Sequence, residues 1–167
     1  HEHSLALKRA FEMIEEGADI LDVGGESSRP GAVPVTVEQE LERVLPLIEG
    51  ISAESAIPLS IDTTKAEVAR QAIMAGAHIV NDTSGLRFDP EMGTVAGQTG
   101  AGLVLMHMQG VPSTMQAAPC YQDLLGEISR FLSAALSRAV ACGVKAEHIA
   151  LDPGIGFGKT FEDRKIT

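Results

Sequence analysis

The chain has 167 residues, of which 44% are hydrophobic and 22% charged, so it has enough apolar sequence to bury the core of one domain over residues 1–167. No stretch is long and apolar enough to cross a bilayer, and a formal charge of −10 disfavours nucleic acid and anionic membranes, which need a basic protein surface. Cys120 and Cys142 lack CxxC spacing, so neither a disulfide framework nor a zinc site is expected, and a reducing cytoplasm is the default location.

A predicted helix is followed at once by a predicted strand at the start of the chain. Apolar residues recur at helical spacing over residues 5–16 and the pattern stops at Gly17. The run over residues 18–22 then predicts a buried strand. The same Gly-Ala-x-apolar sequence recurs at Gly76 and, more weakly, at Gly100. Each copy predicts a helix that ends in glycine, a tight loop and a strand.

The second predicted helix begins near Thr36. Acidic and amide residues over 38–40 are typical of a helix start, and an apolar stripe continues to Gly50. Pro46 lies within that stripe, so we expect either a kink or an early end of the helix there.

Three more helices are predicted from their capping residues. Asp62-Thr63-Thr64 is expected to open a helix that runs through Ala75, and Asp89-Pro90-Glu91 to start a short one. Residues 122–142 form the longest predicted helix, closed by Gly143.

Five short apolar runs end on polar side chains, which is typical of parallel strands buried on both faces. Those ends are Asp22, Asp62, Asn81-Asp82, His107 and Asp152. Five strands alternating with five helices predict an α/β fold, either a doubly wound sheet or a TIM (βα)8 barrel. The segment after the first strand lacks GxGxxG, which favours the barrel. A complete barrel takes about 250 residues, so we expect an incomplete one with about five units.

Three strand-end residues are candidates for binding a flat heterocycle. Asp62 and Asp152 supply acceptors and Asn81 an amide that both donates and accepts, and in parallel folds the ligand lies beyond such strand ends. Met106 and Phe157 are expected to line the same pocket. The simpler alternative is that these residues are helix caps; it is strong for Thr63 or Thr64 and weaker for Asp62.

The loop over residues 22–31 combines glycines, hydroxyls and one guanidinium, a composition that suits an anion. A flexible polar loop with a Pro-Gly turn is an equally good interpretation of the same residues. The donors that suit an anion and the acceptors that suit a ring lie in different loops. This separation suggests a ring substrate with a phosphorylated arm.

Two further strand ends are less decisive. His107 is interpreted as a hydrogen-bonded packing residue in preference to a catalyst. Residues 152–160 resemble a P-loop only superficially. That motif needs a glycine separated by four residues from the Gly158-Lys159 pair, and Pro153 stands at that position. A carboxylate, a glycine-lined bend, an aromatic ring and the Lys159 ammonium remain as candidate site groups.

Five motifs together resemble the dihydropteroate synthase family and occur in that family's order. They are residues 17–31 (GADILDVGGESSRPG), 60–63 (SIDT), 81–85 (NDTSG), 106–110 (MHMQG) and 152–159 (DPGIGFGK).

The resemblance implies a pterin-binding TIM barrel that joins 6-hydroxymethyl-7,8-dihydropterin diphosphate to 4-aminobenzoate, with sulfonamides mimicking the second substrate. It implies that the pterin is held by the strand-end groups and that a loop closes over aminobenzoate and pyrophosphate. The implied pterin-binding residues are Asp62, Asn81, Met106, Asp152 and Phe157, the implied loop residues are Ser28, Arg29 and Pro30, and the implied catalytic residues are Asp62, Asp152 and Lys159. Ser28 stands where the family usually has Thr. Magnesium, held largely by substrate oxygens and water, and a homodimer of the full-length enzyme are further implications, with no metal ligand assigned to this chain.

The chain departs from the family at both ends, because the first strand with its Asn-Val-Thr-Pro-Asp loop and the late Ser-Arg-Lys and Arg-x-His motifs are not among its residues. We therefore expect the chain alone to be poorly active. Two alternatives are a methyltetrahydrofolate-dependent methyltransferase domain and a noncatalytic pterin-binding barrel fragment.

Overall fold

Five parallel strands form one sheet, and a helix precedes each of them. The computed structural model describes residues 2–27, 29 and 33–165. The elements are α1 (Glu2–Glu15), β1 (Leu21–Gly24), α2 (Val37–Glu54), β2 (Leu59–Asp62), α3 (Ala66–Met74), β3 (Ile79–Asp82), α4 (Met92–Thr99), β4 (Gly102–Met106), α5 (Leu124–Ala141) and β5 (Ile149–Asp152). The prediction of five strands alternating with five helices is confirmed.

The strand order is β1-β2-β3-β4-β5, so each strand pairs in parallel with the next one along the chain. A doubly wound sheet reverses its strand order at a switch point, whereas a barrel keeps neighbours in sequence. The described part of the chain therefore has the order of a barrel. Among its helices, none combines the length and apolarity needed to cross a bilayer.

Helix α2 begins where the sequence predicted and does not end early at Pro46. The Thr36 hydroxyl accepts from the Gln39 N–H at 3.2 Å, and the Gln39 side chain accepts from the Thr36 N–H at 3.0 Å, which forms a capping box. The helix then continues through Pro46 to Glu54, so the early end is wrong. Pro46 and Glu42, whose carbonyl loses its helical donor, are both exposed, and water can satisfy that carbonyl.

Helices α3 and α4 both begin later than predicted. Helix α3 starts at Ala66, and Thr63 does not cap it because its hydroxyl accepts from the Lys65 N–H at 3.2 Å. The cap comes from another loop, since the Ala66 N–H donates to Asp89 Oδ2 at 2.8 Å. Helix α4 starts at Met92, after the predicted Asp89-Pro90-Glu91 start.

Helix α5 begins after its cap Asp123, whose carboxylate accepts from the Gly126 N–H at 3.1 Å, and ends before Cys142 and Gly143. Helix α5 was predicted to be the longest helix, but α2 and α5 have the same length of 18 residues.

One face of the sheet carries the hydrophobic core that packs against the helices. Strand residues on this face include Val23, Ile61, Val80, Leu103 and Leu105, all in one buried cluster with apolar residues of the helices. Because successive side chains alternate between faces, the neighbouring polar residues must point to the opposite face.

Candidate active site

The three strand-end residues predicted to bind a ring lie on the sheet face opposite the helices. Asp62 pairs with Asn81 between β2 and β3, and Met106 pairs with Asp152 between β4 and β5. Asn81 pairs with Val104, two residues before Met106, so the two pairs share one face. The strand order and register therefore bring these groups to the carboxyl edge of a single face.

Asp22 lies on the same face and contacts Asn81 directly. The Asn81 amide nitrogen donates to Asp22 Oδ2 at 3.1 Å. An ionised carboxylate only accepts, so it fixes the amide nitrogen toward β1 and leaves the amide oxygen of Asn81 free to accept from a ligand. The sequence placed Asp22 at a strand end but gave no signal of this contact, which spans 59 residues.

Asp62 is surrounded by like charges. Burial, followed by the nearby carboxylates of Asp22, Glu40, Asp82 and Glu26, raises its pKa from 3.8 to about 7. A carboxyl group so poorly solvated gains from any ligand that offers N–H donors or positive charge. Such a ligand would therefore stabilise the ionised form of Asp62.

Asp82, the second acid of the Asn81-Asp82 pair, points to the helix side. Its carboxylate accepts from the N–H groups of Ser84 at 2.8 Å and Leu86 at 2.7 Å, and it is 1% exposed. It shapes the loop after β3 and is not part of the open edge.

Asp152 is held by the glycine-lined bend that follows it. Its Oδ1 accepts from the Gly154 N–H at 2.7 Å, and the Asp152 carbonyl accepts from the His107 N–H at 2.8 Å. Gly154 has φ +65°, and a Cβ there would lie 2.0 Å from the His107 carbonyl oxygen, so only glycine fits this close approach. The first glycine of the motif thus sets the position of Asp152 against β4.

Lys159 is enclosed beneath this bend. Its side chain has no exposed surface, and its ammonium contacts His107 Nδ1 at 3.1 Å, the Gly154 carbonyl at 2.8 Å and the Phe157 carbonyl at 3.2 Å. Burial lowers its pKa to about 8, partly opposed by Asp152 and Asp163. These contacts show the Lys159 ammonium tying the bend together, and its predicted catalytic role stays a prediction.

His107 packs as the sequence analysis favoured. Its ring meets Phe131 edge-on with centroids 5.0 Å apart, and burial together with the Lys159 and Arg87 charges lowers its pKa to about 4. A neutral imidazole can accept at Nδ1 from the Lys159 ammonium.

Met106 and Phe157 belong to one small apolar cluster beside the polar edge. Met106, Met108 and Met115 form its buried part, and Phe157 packs against it half-buried. The two residues predicted to line the ring pocket are thus brought together.

The loop after β1 is described only in part. Arg29 is exposed, and its backbone N–H donates to the Ser27 hydroxyl at 3.3 Å. The predicted loop residues Ser28 and Pro30 lie outside the described residues.

A cavity of about 400 Å³ opens beside Asp62. Its walls come from the loops after β1, β3 and β4, the first turn of α2, and the end of β2 with the segment that follows it; they include Glu26, Ser27, Glu40, Asp62, Thr63, Lys65, Phe88, Val111 and Pro112. Asn81 and Asp152 do not line it. Asp62 therefore stands between this cavity and the face that carries the other two ring-binding candidates.

No group of three or more His, Cys, Asp or Glu side chains among residues 2–27, 29 and 33–165 is arranged to hold a metal ion. A magnesium ion held largely by substrate oxygens and water, as the resemblance implies, does not require such a group.

Comparisons with known proteins show which family the chain belongs to. The model of the pterin-binding enzyme family matches residues 1–166. The chain belongs to the pterin-binding enzyme family. It is 52% identical over 157 residues to the dihydropteroate synthase of Synechocystis sp., covering 94% of this chain and 54% of that relative.

Solved structures of the family have the same fold over the matched residues. Dihydropteroate synthase from Yersinia pestis with a sulfonamide drug superposes with a TM-score of 0.92 at 42% identity, covering 96% of this chain and 58% of that one. The Xanthomonas albilineans enzyme with 4-aminobenzoic acid gives 0.91 at 43% identity, covering 98% and 57%. The fold is therefore that of a partial TIM barrel, and the chain spans just over half the length of these relatives.

Proposed function

We propose that the protein containing this chain is a dihydropteroate synthase, a transferase of folate biosynthesis that joins 6-hydroxymethyl-7,8-dihydropterin diphosphate to 4-aminobenzoate. The observation that carries the proposal is the placement of Asp62, Asn81 and Asp152 at one edge of one sheet face, in a member of the pterin-binding family. The pterin ring offers an amino group and ring N–H donors, which match two carboxylates and an oriented amide oxygen.

The chemistry suited to this edge is a displacement at the pterin methylene. The bond between that carbon and the diphosphate oxygen breaks, and the electron pair leaves with pyrophosphate. The aminobenzoate nitrogen forms the new bond to the same carbon and then releases its proton to solvent. Asp62 and Asp152 favour the positive charge that develops on the ring before the new bond forms, and no side chain acts as a nucleophile.

The second substrate is proposed to bind next to the loop after β1. Arg29 is exposed there and supplies a guanidinium that matches a carboxylate or a phosphate. Ser28 and Pro30 are proposed to belong to the same subsite, and sulfonamides to compete for it, as the sulfonamide complex of the Yersinia pestis relative suggests. We also propose, from the family resemblance, that the enzyme is a homodimer and requires magnesium to bind the diphosphate.

The test is calorimetric binding of the pterin diphosphate, followed by a condensation assay with 4-aminobenzoate. Asn81→Ala and Asp152→Asn are each expected to weaken pterin binding by about tenfold or more. The first deletes the amide acceptor, and the second removes the negative charge and replaces one acceptor oxygen with an N–H donor that faces the donors of the ring. Asp19→Asn, an exposed acid at the opposite end of β1, is the matched control.

Unchanged pterin affinity in both site variants would refute the proposal. Binding without condensation in the complete protein would favour the noncatalytic alternative, and methyl transfer from methyltetrahydrofolate would favour the methyltransferase.

A further inference from the structure

Three charged side chains outside the ring-binding face form a half-buried cluster. The Lys65 ammonium donates to Glu26 Oε2 and, at 2.6 Å, to Glu40 Oε2. Glu40 is fully buried, whereas the Lys65 and Glu26 side chains are 23% and 28% exposed. We call Glu26, Glu40 and Lys65 the ammonium cluster.

The ammonium cluster joins three elements that are far apart in the chain. Glu26 follows β1, Glu40 lies in the first turn of α2, and Lys65 is the residue before α3. Burial alone would lower the pKa of Lys65, but hydrogen bonds and charge from the two glutamates outweigh it and the pKa is raised. The lysine is therefore held as a cation between them.

The backbone next to Glu26 also packs against helix α2. Arg43 donates to the Gly25 carbonyl at 2.8 Å. A Cβ on Gly25 would lie 2.9 Å from both Glu40 Cγ and Val44 Cγ1, so the backbone lies directly on the helix. Glu40, Arg43 and Val44 have i, i+3, i+4 spacing, which puts all three on one helix face.

The segment fixed in this way leads directly into the loop that contains Arg29. Only two residues separate Glu26 from Arg29, and Ser27 between them lines the cavity beside Asp62. Where Glu26 is held, the start of that loop is held too.

The burial of Glu40 costs free energy that a purely structural role would not require. Its Oε1 is buried and has no hydrogen-bond partner among the described residues. A buried carboxylate with one unpaired oxygen is weak evidence for stability, because an apolar residue of similar volume often serves a core better. Its one strong contact is the lysine that also grips Glu26.

From these contacts we propose that Lys65 and Glu40 are positioning residues for the second substrate, which act by fixing Glu26 and thereby the start of the loop that carries Arg29. This role rests on the proposed function, because it assigns the loop to aminobenzoate. Neither residue is proposed to touch the reacting atoms.

The test compares stability with substrate affinity in the complete protein in which these residues occur. Lys65→Met leaves Glu40 as a buried charge without a cation and is expected to lower the melting temperature. Lys65→Met/Glu40→Gln removes that charge and is expected to recover most of the loss. Glu26→Gln weakens the grip on the loop while leaving the Lys65–Glu40 pair intact.

Substrate affinity is expected to behave differently from stability. In Lys65→Met, in the double variant and in Glu26→Gln, the KM for 4-aminobenzoate should rise by about tenfold. The Kd for the pterin diphosphate should change by a smaller factor, because it is affected only through the charges of Glu26 and Glu40 near Asp62. Lys145→Met and Glu42→Gln, both at exposed positions, are the matched controls.

Recovery of the aminobenzoate KM together with the melting temperature in the double variant would mean that the ammonium cluster only supports the fold, and would overturn the inference. An unchanged KM in Glu26→Gln would overturn it as well. If the unmodified protein does not bind the pterin diphosphate, the proposed function fails on its own. In that case hydrogen exchange over residues 22–27 still tests the cluster, since exchange faster in Glu26→Gln than in Glu42→Gln supports positioning and equal exchange refutes it.

Discussion

At the scale of single residues, Asp62 carries a charge that the fold disfavours. Its carboxyl group is raised from a pKa of 3.8 to about 7, first by burial and then by four neighbouring carboxylates. Between about pH 4 and pH 7 the folded protein therefore holds a proton that the unfolded chain has released. Stability contributed by this group is present at low pH and is lost as pH rises through the folded-state pKa.

The corresponding prediction concerns Asp62→Asn, which keeps the shape of the side chain and removes its charge. The variant should be more stable than the unmodified protein at pH 8, by up to about 4 kcal/mol, and the difference should shrink toward zero near pH 4. Urea unfolding across this pH range measures it, with Asp19→Asn as the control. Parallel pH profiles for Asp62→Asn and the unmodified protein would contradict the assignment of the raised pKa.

Asp22 and Asn81 show how one residue sets the chemistry of another. The amide of Asn81 is symmetric in shape but not in function, and the Asp22 carboxylate decides which end faces the ligand. An acid at the next strand thereby converts an ambiguous amide into a fixed acceptor.

At the scale of elements, the polar ends of the strands were predictable because short apolar runs mark the strands and their alternation with helices indicates parallel order. Asp62, Asn81 and Asp152 share an edge for that reason alone. The contacts that fix their surroundings were not predictable, since each joins loops distant in sequence, as Lys65 does with Glu40 and as Asp89 does with Ala66. The contacts of Lys159 were not predictable either, because the bend of its own motif brings its ammonium to the carbonyls of Gly154 and Phe157.

The start of α3 provides a prediction at this scale. No side chain of the α3 segment caps the helix, and Asp89 from the loop before α4 accepts from the Ala66 N–H at 2.8 Å. Asp89→Ala should lower the free energy of unfolding by about 1 kcal/mol, whereas Asp89→Asn should retain most of it because an amide oxygen can still accept. Denaturant unfolding tests this, with exposed Glu91→Ala as the control, and an equal loss in the alanine and asparagine variants would argue against capping.

At the scale of the whole molecule, the described sheet has two open edges. β1 and β5 each pair with only one neighbour among residues 2–27, 29 and 33–165. Leu151 on β5 is 45% exposed, and the exposed apolar residues Ile155 and Phe161 follow it. Unpaired backbone groups next to apolar side chains are a template for strand pairing with another chain.

The 167-residue chain by itself is therefore expected to associate in a concentration-dependent manner through β5. Leu151→Lys puts a charge on this edge strand and should shift the chain toward monomer in sedimentation velocity, because an edge lysine opposes strand addition. Leu125→Lys is the matched control, since Leu125 is 55% exposed but lies on α5, away from the sheet edge. If both lysine variants reduce association equally, added charge explains the effect and the β5 edge is not the contact; if only Leu151→Lys does, the open edge of the partial barrel drives it.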